Sequence, residues 1–186
     1  METGLSMKPS DKEELLLTGA RFNVHAMNLV GSDGKTYVRE VIRHPGAVVL
    51  LPMLDCDTVV MIENHRPTVA ETLLELPAGT REPNEAVEIT AARELAEETG
   101  YVAETLTLLH EFYSAPGICD ERMFLYVATG LTAGESQREA TEQIENRIAD
   151  RDQIRKWIAE GRICDAKTLV GLYAFLYNPL CQTTTP

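Results

Sequence analysis

The chain has 186 residues, enough for one domain with a full hydrophobic core and too few for two of ordinary size. At 44% hydrophobic and 25% charged residues it has the composition of a soluble globular protein, which argues against disordered, fibrous and membrane-spanning classes. The net charge of −12 disfavours a nucleic acid partner, because phosphate backbones are held by clustered Lys and Arg, but leaves room for a small phosphate ester where a bound cation reverses the field locally.

Residues 1–11 are polar and aperiodic and read as a loose leader. Roughly alternating apolar residues over 21–30 and 36–44, separated by Gly31-Ser32-Asp33-Gly34, predict an antiparallel hairpin. Two short aliphatic runs, 47–53 and 58–62, split by Asp55-Cys56-Asp57, predict buried strands joined by a tight turn. A helix is expected over 85–99, with Asn84 as N-cap, Gly100 as its stop, and Val87, Ala91, Ala92 and Leu95 as the apolar stripe. Strands are expected over 106–113 and 122–128, followed by a polar loop over 130–142. Helices over 151–160 and 165–177 close the chain. Strands first, one helix inserted, then more strands and helices argue for α+β with a mixed or antiparallel central sheet in an α/β/α sandwich. Cys56, Cys119, Cys164 and Cys181 form no CxxC pair and read as reduced thiols of a cytoplasmic protein. No window approaches the length of an apolar membrane span, so no membrane partner is expected.

Chemistry concentrates between Gly79 and Tyr101, where Gly79, Glu85, Arg93, Glu94, Glu97, Glu98 and Gly100 stand at GX5EX7REXXEEXG spacing. Residues i, i+3 and i+4 share a helical face, so Glu94, Glu97 and Glu98 gather three carboxylates within about one turn. Uncompensated, each like-charged pair costs about 0.2 to 0.5 kcal/mol, whereas a hard divalent cation turns the cluster into a binding site. Oxygen ligands select Mg2+, Mn2+ or Ca2+ over soft metals. Three glutamates alone would equally suit a solvated acidic face, but all seven positions arise by chance about once in 10⁸ starts at ordinary residue frequencies.

This segment resembles the Nudix box, complete at its seven fixed positions and with Leu95 at the first aliphatic site; Tyr101 departs from the aliphatic residue usual after the glycine. The similarity extends over roughly residues 21–177 and implies a Nudix-type α/β/α sandwich with an N-terminal antiparallel hairpin region. It implies a leader at 1–13, one hydrolase domain at 14–180 (a strand region at 14–44 and the catalytic core at 45–180) and a tail at 181–186. Glu75-Leu76-Pro77-Ala78-Gly79 resembles the family's LE(L/M)PAG entry, which makes the Ala78 carbonyl a metal ligand beside Glu94 and Glu98, with Glu97 at a second ion or in catalysis. Arg93 is expected to pair with Glu85 and orient the helix. Mg2+ is the implied cofactor, with Mn2+ as substitute.

Ser114-Ala115-Pro116-Gly117, placed 16 residues beyond the box, resembles the SPG element of the ADP-ribose pyrophosphatase branch. That branch implies a nucleoside diphosphate sugar as substrate, with ADP-ribose cut to AMP and ribose 5-phosphate. Arg39 and Arg66 are the implied phosphate or ribose contacts, joined by Glu75, Pro116 and the aromatic Phe22, though each arginine would serve equally in a surface ion pair. Glu142 is the implied general base, with Glu139 and Glu145 as alternatives on the same loop. Asp165-Ala166-Lys167-Thr168 also resembles the branch and is expected to pack. A homodimer is implied in which the N-terminal hairpin lines the partner's pocket. Two other readings stay open: hydrolysis of another nucleotide sugar such as GDP-mannose or of a dinucleotide, and a non-catalytic ADP-ribose sensor.

Overall fold

The computed structural model describes residues 9–136 and 143–177. The chain divides into two compact units, Met1–Gly46 with Tyr113–Arg122, and Ala47–Phe112 with Met123–Pro186.

The first unit is built on three antiparallel strands in sequence order, β1 (Pro9–Thr18), β2 (Asn23–Val30) and β3 (Thr36–Arg43). β2 and β3 form the expected hairpin, closed at Val30 and Thr36, with Gly34 at φ 75° in the turn. β1 begins at Pro9, inside the segment read as a leader. The 113–122 segment joins this unit through Ile42, whose N–H donates to the Ile118 carbonyl (2.8 Å) and whose carbonyl accepts from Asp120 N–H (3.1 Å). Arg43 then bridges Glu13 and Asp120, and Asp120 also accepts from the His44 N–H (2.8 Å).

The second unit holds a sheet ordered β7-β4-β10-β9, from β4 (Ala47–Pro52), β7 (Ala78–Thr80), β9 (Thr105–Tyr113) and β10 (Arg122–Thr129). A second sheet is ordered β12-β5-β6, from β5 (Thr58–Arg66), β6 (Glu71–Glu75) and β12 (Ile144–Asp150). β8 (Tyr101–Val102) pairs with β11 (Thr132–Ala133). β4 runs parallel to β10 and antiparallel to β7, so the sheet is mixed. All six residues of β4 are buried, as an uninterrupted apolar run requires of a strand covered on both faces. Its alternate side chains divide between two cores. Val48 and Leu50 meet Ala91 and Leu95 of α1 (Val87–Thr99), while Val49 and Leu51 meet Ile154 of α2 (Arg151–Ala159) and Leu172 and Phe175 of α3 (Ala166–Tyr177). The result is the expected α+β sandwich.

Four local readings are corrected. Asn84 does not cap α1: it sits at φ 63° in the preceding turn, and Ala86 occupies the N-cap with no side-chain cap bond. Ala92 is exposed, and the buried stripe runs through Thr90, Ala91, Glu94, Leu95 and Glu98, so two of the box glutamates take inward places. β6, β7 and β12 were not anticipated; β12, Ile-Glu-Asn-Arg-Ile-Ala-Asp, carries too many charges to show an apolar period. Cys56 is disulfide-bonded, whereas Cys119 and Cys164 are free, a pairing in space that chain spacing does not reveal.

Candidate active site

The N-terminal end of α1 is fastened by an ion pair. Arg93 donates through Nε and Nη2 to both oxygens of Glu85 (3.0 Å each), and Glu85 also accepts from the Thr90 hydroxyl (2.8 Å) and the Glu82 N–H (3.1 Å). The Arg93 bond is the main reason that the Glu85 carboxyl falls to about 2. Glu85 thus supplies the anchorage expected of Asn84. At the other end Gly100 takes φ 79°, its N–H donates to Ala96, and the Asn146 side chain donates to the Thr99 carbonyl (2.8 Å).

Glu94 and Glu98, one turn apart, are 9% and 3% exposed, while Glu97 faces outward with 39% of its side chain accessible. Two buried carboxylates on one helical face need compensating positive charge or hydrogen-bond donors. Here Arg93 Nη1 donates to Glu94 (2.7 Å) and Glu97 (2.9 Å), and the Ala78 N–H donates to Glu98 (2.9 Å). Ala78 and Gly79 belong to β7, which runs beside β4 and brings its backbone against the helix. A Cβ at Gly79 would fall 1.9 Å from the Glu94 carboxyl carbon, so only glycine permits that approach.

These features suit a hard divalent cation: carboxylate oxygens of the correct chemistry, backbone close by, and a cradle that a Cβ would fill. Among the described residues no three acidic, His or Cys side chains converge at metal-holding distance, and Arg93 pairs with both Glu94 (2.7 Å) and Glu97 (2.9 Å).

The segment preceding Ala78 is fixed at every residue. Glu75, 1% exposed, accepts a two-pronged bond from Arg66 (2.7 and 2.6 Å) and a third from Lys167 (2.5 Å). The Leu76 N–H donates to the Thr168 hydroxyl (2.8 Å), and the Pro77 carbonyl accepts from Leu50 (2.8 Å). Arg66 and Glu75, both expected at the substrate, therefore bind one another, and the Glu75 bond is the leading cause of the raised Arg66 pKa. The Lys167 and Thr168 bonds were not legible in the sequence: Asp165 and Thr168 have the spacing of a helix cap, but nothing in that spacing points to partners 92 residues earlier.

Phe22, Arg39 and Pro116 are exposed residues of the first unit, whereas Arg66, Glu75, Ala78 and the box belong to the second. Glu142 and Glu139 lie outside the described residues. Glu145, on β12, is exposed and paired with Arg147 (3.1 Å). Tyr101, the departure from the usual box, packs half-buried against the α1 core.

A family model for the NUDIX domain matches residues 43–169, which include the whole box. The chain belongs to the NUDIX domain family. Among similar proteins, the "Methanol dehydrogenase activator" of Bacillus methanolicus is 36% identical over 166 residues, covering 87% of this chain and 88% of the relative. The "ADP-ribose pyrophosphatase" of Bacillus subtilis (strain 168) is 34% identical over 170 residues, 90% of each chain. A solved structure described as an ADP compounds hydrolase superposes with a TM-score of 0.77 at 23% identity, covering 90% of this chain and 92% of that one, which shows that the two share a fold. No helix among the described residues is long and apolar enough to cross a membrane.

Proposed function

We propose that this Nudix hydrolase cuts the diphosphate bond of ADP-ribose, releasing AMP and ribose 5-phosphate, in a reaction that requires Mg2+ or, in substitution, Mn2+. The observation that carries the reading is the pair of buried carboxylates, Glu94 and Glu98, set on one face of α1 against the Ala78–Gly79 backbone. The Bacillus subtilis relative, similar over nearly its whole length, supports the substrate.

In this reading the Ala78 carbonyl, Glu94, Glu97 and Glu98 hold the cation, which when bound neutralises diphosphate oxygens and activates water. Arg93 orients Glu94 and Glu97 and holds α1 to Glu85. Arg66 retains 35% side-chain exposure while Glu75 fixes its plane, a preorganised fork suited to phosphate oxygens. Glu142 serves as the base that receives the proton of the attacking water. Arg39, Phe22 and Pro116 are assigned to nucleotide or sugar contacts on the family resemblance. The same resemblance supports a homodimer acting in the cytoplasm, and the half-exposed Leu15, Leu16 and Leu17 of β1 favour association through the first unit.

The test is chromatographic product analysis with and without Mg2+, offering ADP-ribose alongside GDP-mannose, NADH and diadenosine polyphosphates. AMP and ribose 5-phosphate, formed fastest from ADP-ribose and only with metal, are expected. Faster turnover of another compound would remove the substrate assignment, and binding of ADP-ribose without cleavage would replace the enzyme by a sensor. The name of the Bacillus methanolicus relative favours one further reading, activation of a methanol dehydrogenase, which an assay of that enzyme with and without this chain decides.

A further inference from the structure

We propose that Thr168 and Lys167, at the start of α3, are positioning residues for the metal-binding segment: they hold Glu75–Ala78 in the place where its backbone meets Glu98. The inference rests on the metal-site reading above, which assigns them no part. Thr168 is fully buried, and its hydroxyl has a defined direction. It donates to Asp165 (2.6 Å) and accepts the Leu76 N–H (2.8 Å), while the Thr168 N–H donates to the same Asp165 oxygen (3.0 Å). Lys167, 14% exposed at its side chain, spans Asp165 (2.8 Å) and Glu75 (2.5 Å). The start of α3 therefore grips two consecutive residues of the strap, one through its carboxylate and one through its amide. Two residues further on, the Ala78 N–H reaches Glu98 (2.9 Å).

Strand pairing holds the two ends of the strap, Glu75 beside Ile62 of β5 and Ala78 beside Val49 of β4, and leaves the residues between them to side-chain and backbone contacts. Pro77 has no N–H to donate, and its carbonyl is held by Leu50 (2.8 Å). Arg66 shares Glu75 with Lys167, so Lys167 adds a second cation to a carboxylate that is 1% exposed. Removing the Thr168 hydroxyl would strand a buried amide, and the strap could recover a partner for it only by moving. Because Ala78 lies so close in the chain, such a movement alters how its backbone faces Glu98. Residues that orient metal ligands in this indirect way typically change metal affinity by about 10- to 100-fold when replaced.

The test is Mn2+ binding by the full chain without substrate, followed by electron paramagnetic resonance of the free ion, beside kcat and KM measured as a function of metal concentration. Thr168→Val is expected to weaken Mn2+ binding by about tenfold or more and to raise the metal concentration needed for half-maximal rate, with much of kcat recovered at saturating metal. Thr168→Ser, which restores the hydroxyl, should return binding to the level of the unaltered protein, and Lys167→Met should shift it in the same direction as Thr168→Val. Glu98→Gln is the control for the underlying site. If Glu98→Gln loses Mn2+ affinity while a folded Thr168→Val retains it, the positioning role is overturned and the metal site stands. If Glu98→Gln also binds normally, the metal-site reading itself falls. Should Thr168→Val fail to fold by circular dichroism, Lys167→Met decides: unchanged Mn2+ affinity there overturns the proposal.

Discussion

A methyl group at position 79 would stand within 2.2 Å of three atoms of the Glu94 carboxyl group. The obstructing atoms are the end of a flexible side chain, so Gly79→Ala should fold, with Glu94 turned away from β7. Its thermal midpoint is expected to stay within a few degrees of the parent, while kcat/KM for ADP-ribose falls by about a hundredfold, equivalent to about 2.7 kcal/mol. Calorimetry and steady-state kinetics on one preparation check both halves. Glu85 offers a different test. The Arg93 bond chiefly holds its carboxyl at about 2, below its ordinary 4.5. The folded state thus favours the ionised form, and the stabilisation is complete above about 4.5 and disappears as pH falls toward 2. Melting of the parent and of Glu85→Gln should accordingly differ near neutral pH and converge in acid; a gap independent of pH would place the effect in packing. The Glu94 and Glu98 pair was legible because helical periodicity is local. The mutual capture of Arg66 and Glu75 was not, since it depends on β5 and β6 lying side by side.

At the scale of elements, α1 is held at both ends by contacts from outside the helix. Gly100 combines φ 79° with neighbours that cannot swing aside: an added Cβ would meet the Gly134 carbonyl oxygen and the Ser136 nitrogen at 2.9 Å each. The left-handed conformation alone costs a non-glycine residue about 1 to 2 kcal/mol. Gly100→Ala should therefore lower the thermal midpoint by at least about 2 °C, given about 2 to 4 °C per kcal/mol for a chain of this size. Differential scanning calorimetry is the measurement, and an unchanged midpoint would show that β8 and β11 yield easily. α1 and α3 were read from the sequence to within a few residues because their stops, Gly100 and the segment before Pro179, are strong signals. β4 was legible as a continuous apolar run. β7 has three residues and no side-chain period of its own, so only its pairing with β4 reveals it. The N-cap failed for a comparable reason: Asn suits both a cap and a left-handed turn, and the Glu85 to Arg93 bond made the turn sufficient.

For the molecule as a whole, the expectation with the broadest reach is the homodimer. Leu15, Leu16 and Leu17 are between 50% and 55% exposed on β1, a costly arrangement for a surface that stays in water. Light scattering after size exclusion should give twice the 20.6 kDa of one chain, and Leu15→Glu with Leu17→Glu should shift it to the single mass. A parent that elutes at 20.6 kDa ends the dimer proposal. Fold class was accessible from the order of elements, whereas the division into units was not: the 113–122 segment joins the first unit through pairing with Ile42, which no local pattern encodes.

The parallel pairing of β4 with β10 joins Ala47 to Met123. Everything between them, including the complete box, is synthesised before the sheet can close. α1 rests on Val48 and Leu50 from one of these strands and on Tyr126 and Ala128 from the other. A nascent chain stopped short of residue 122 would carry every glutamate of the box and only half the floor beneath their helix. Closing so long a loop is entropically slow, and contacts distant in sequence reward the chain only after closure. The order of translation thus completes the floor beneath the acidic cluster only once β10 has been made, with β12, α2 and α3 still to follow.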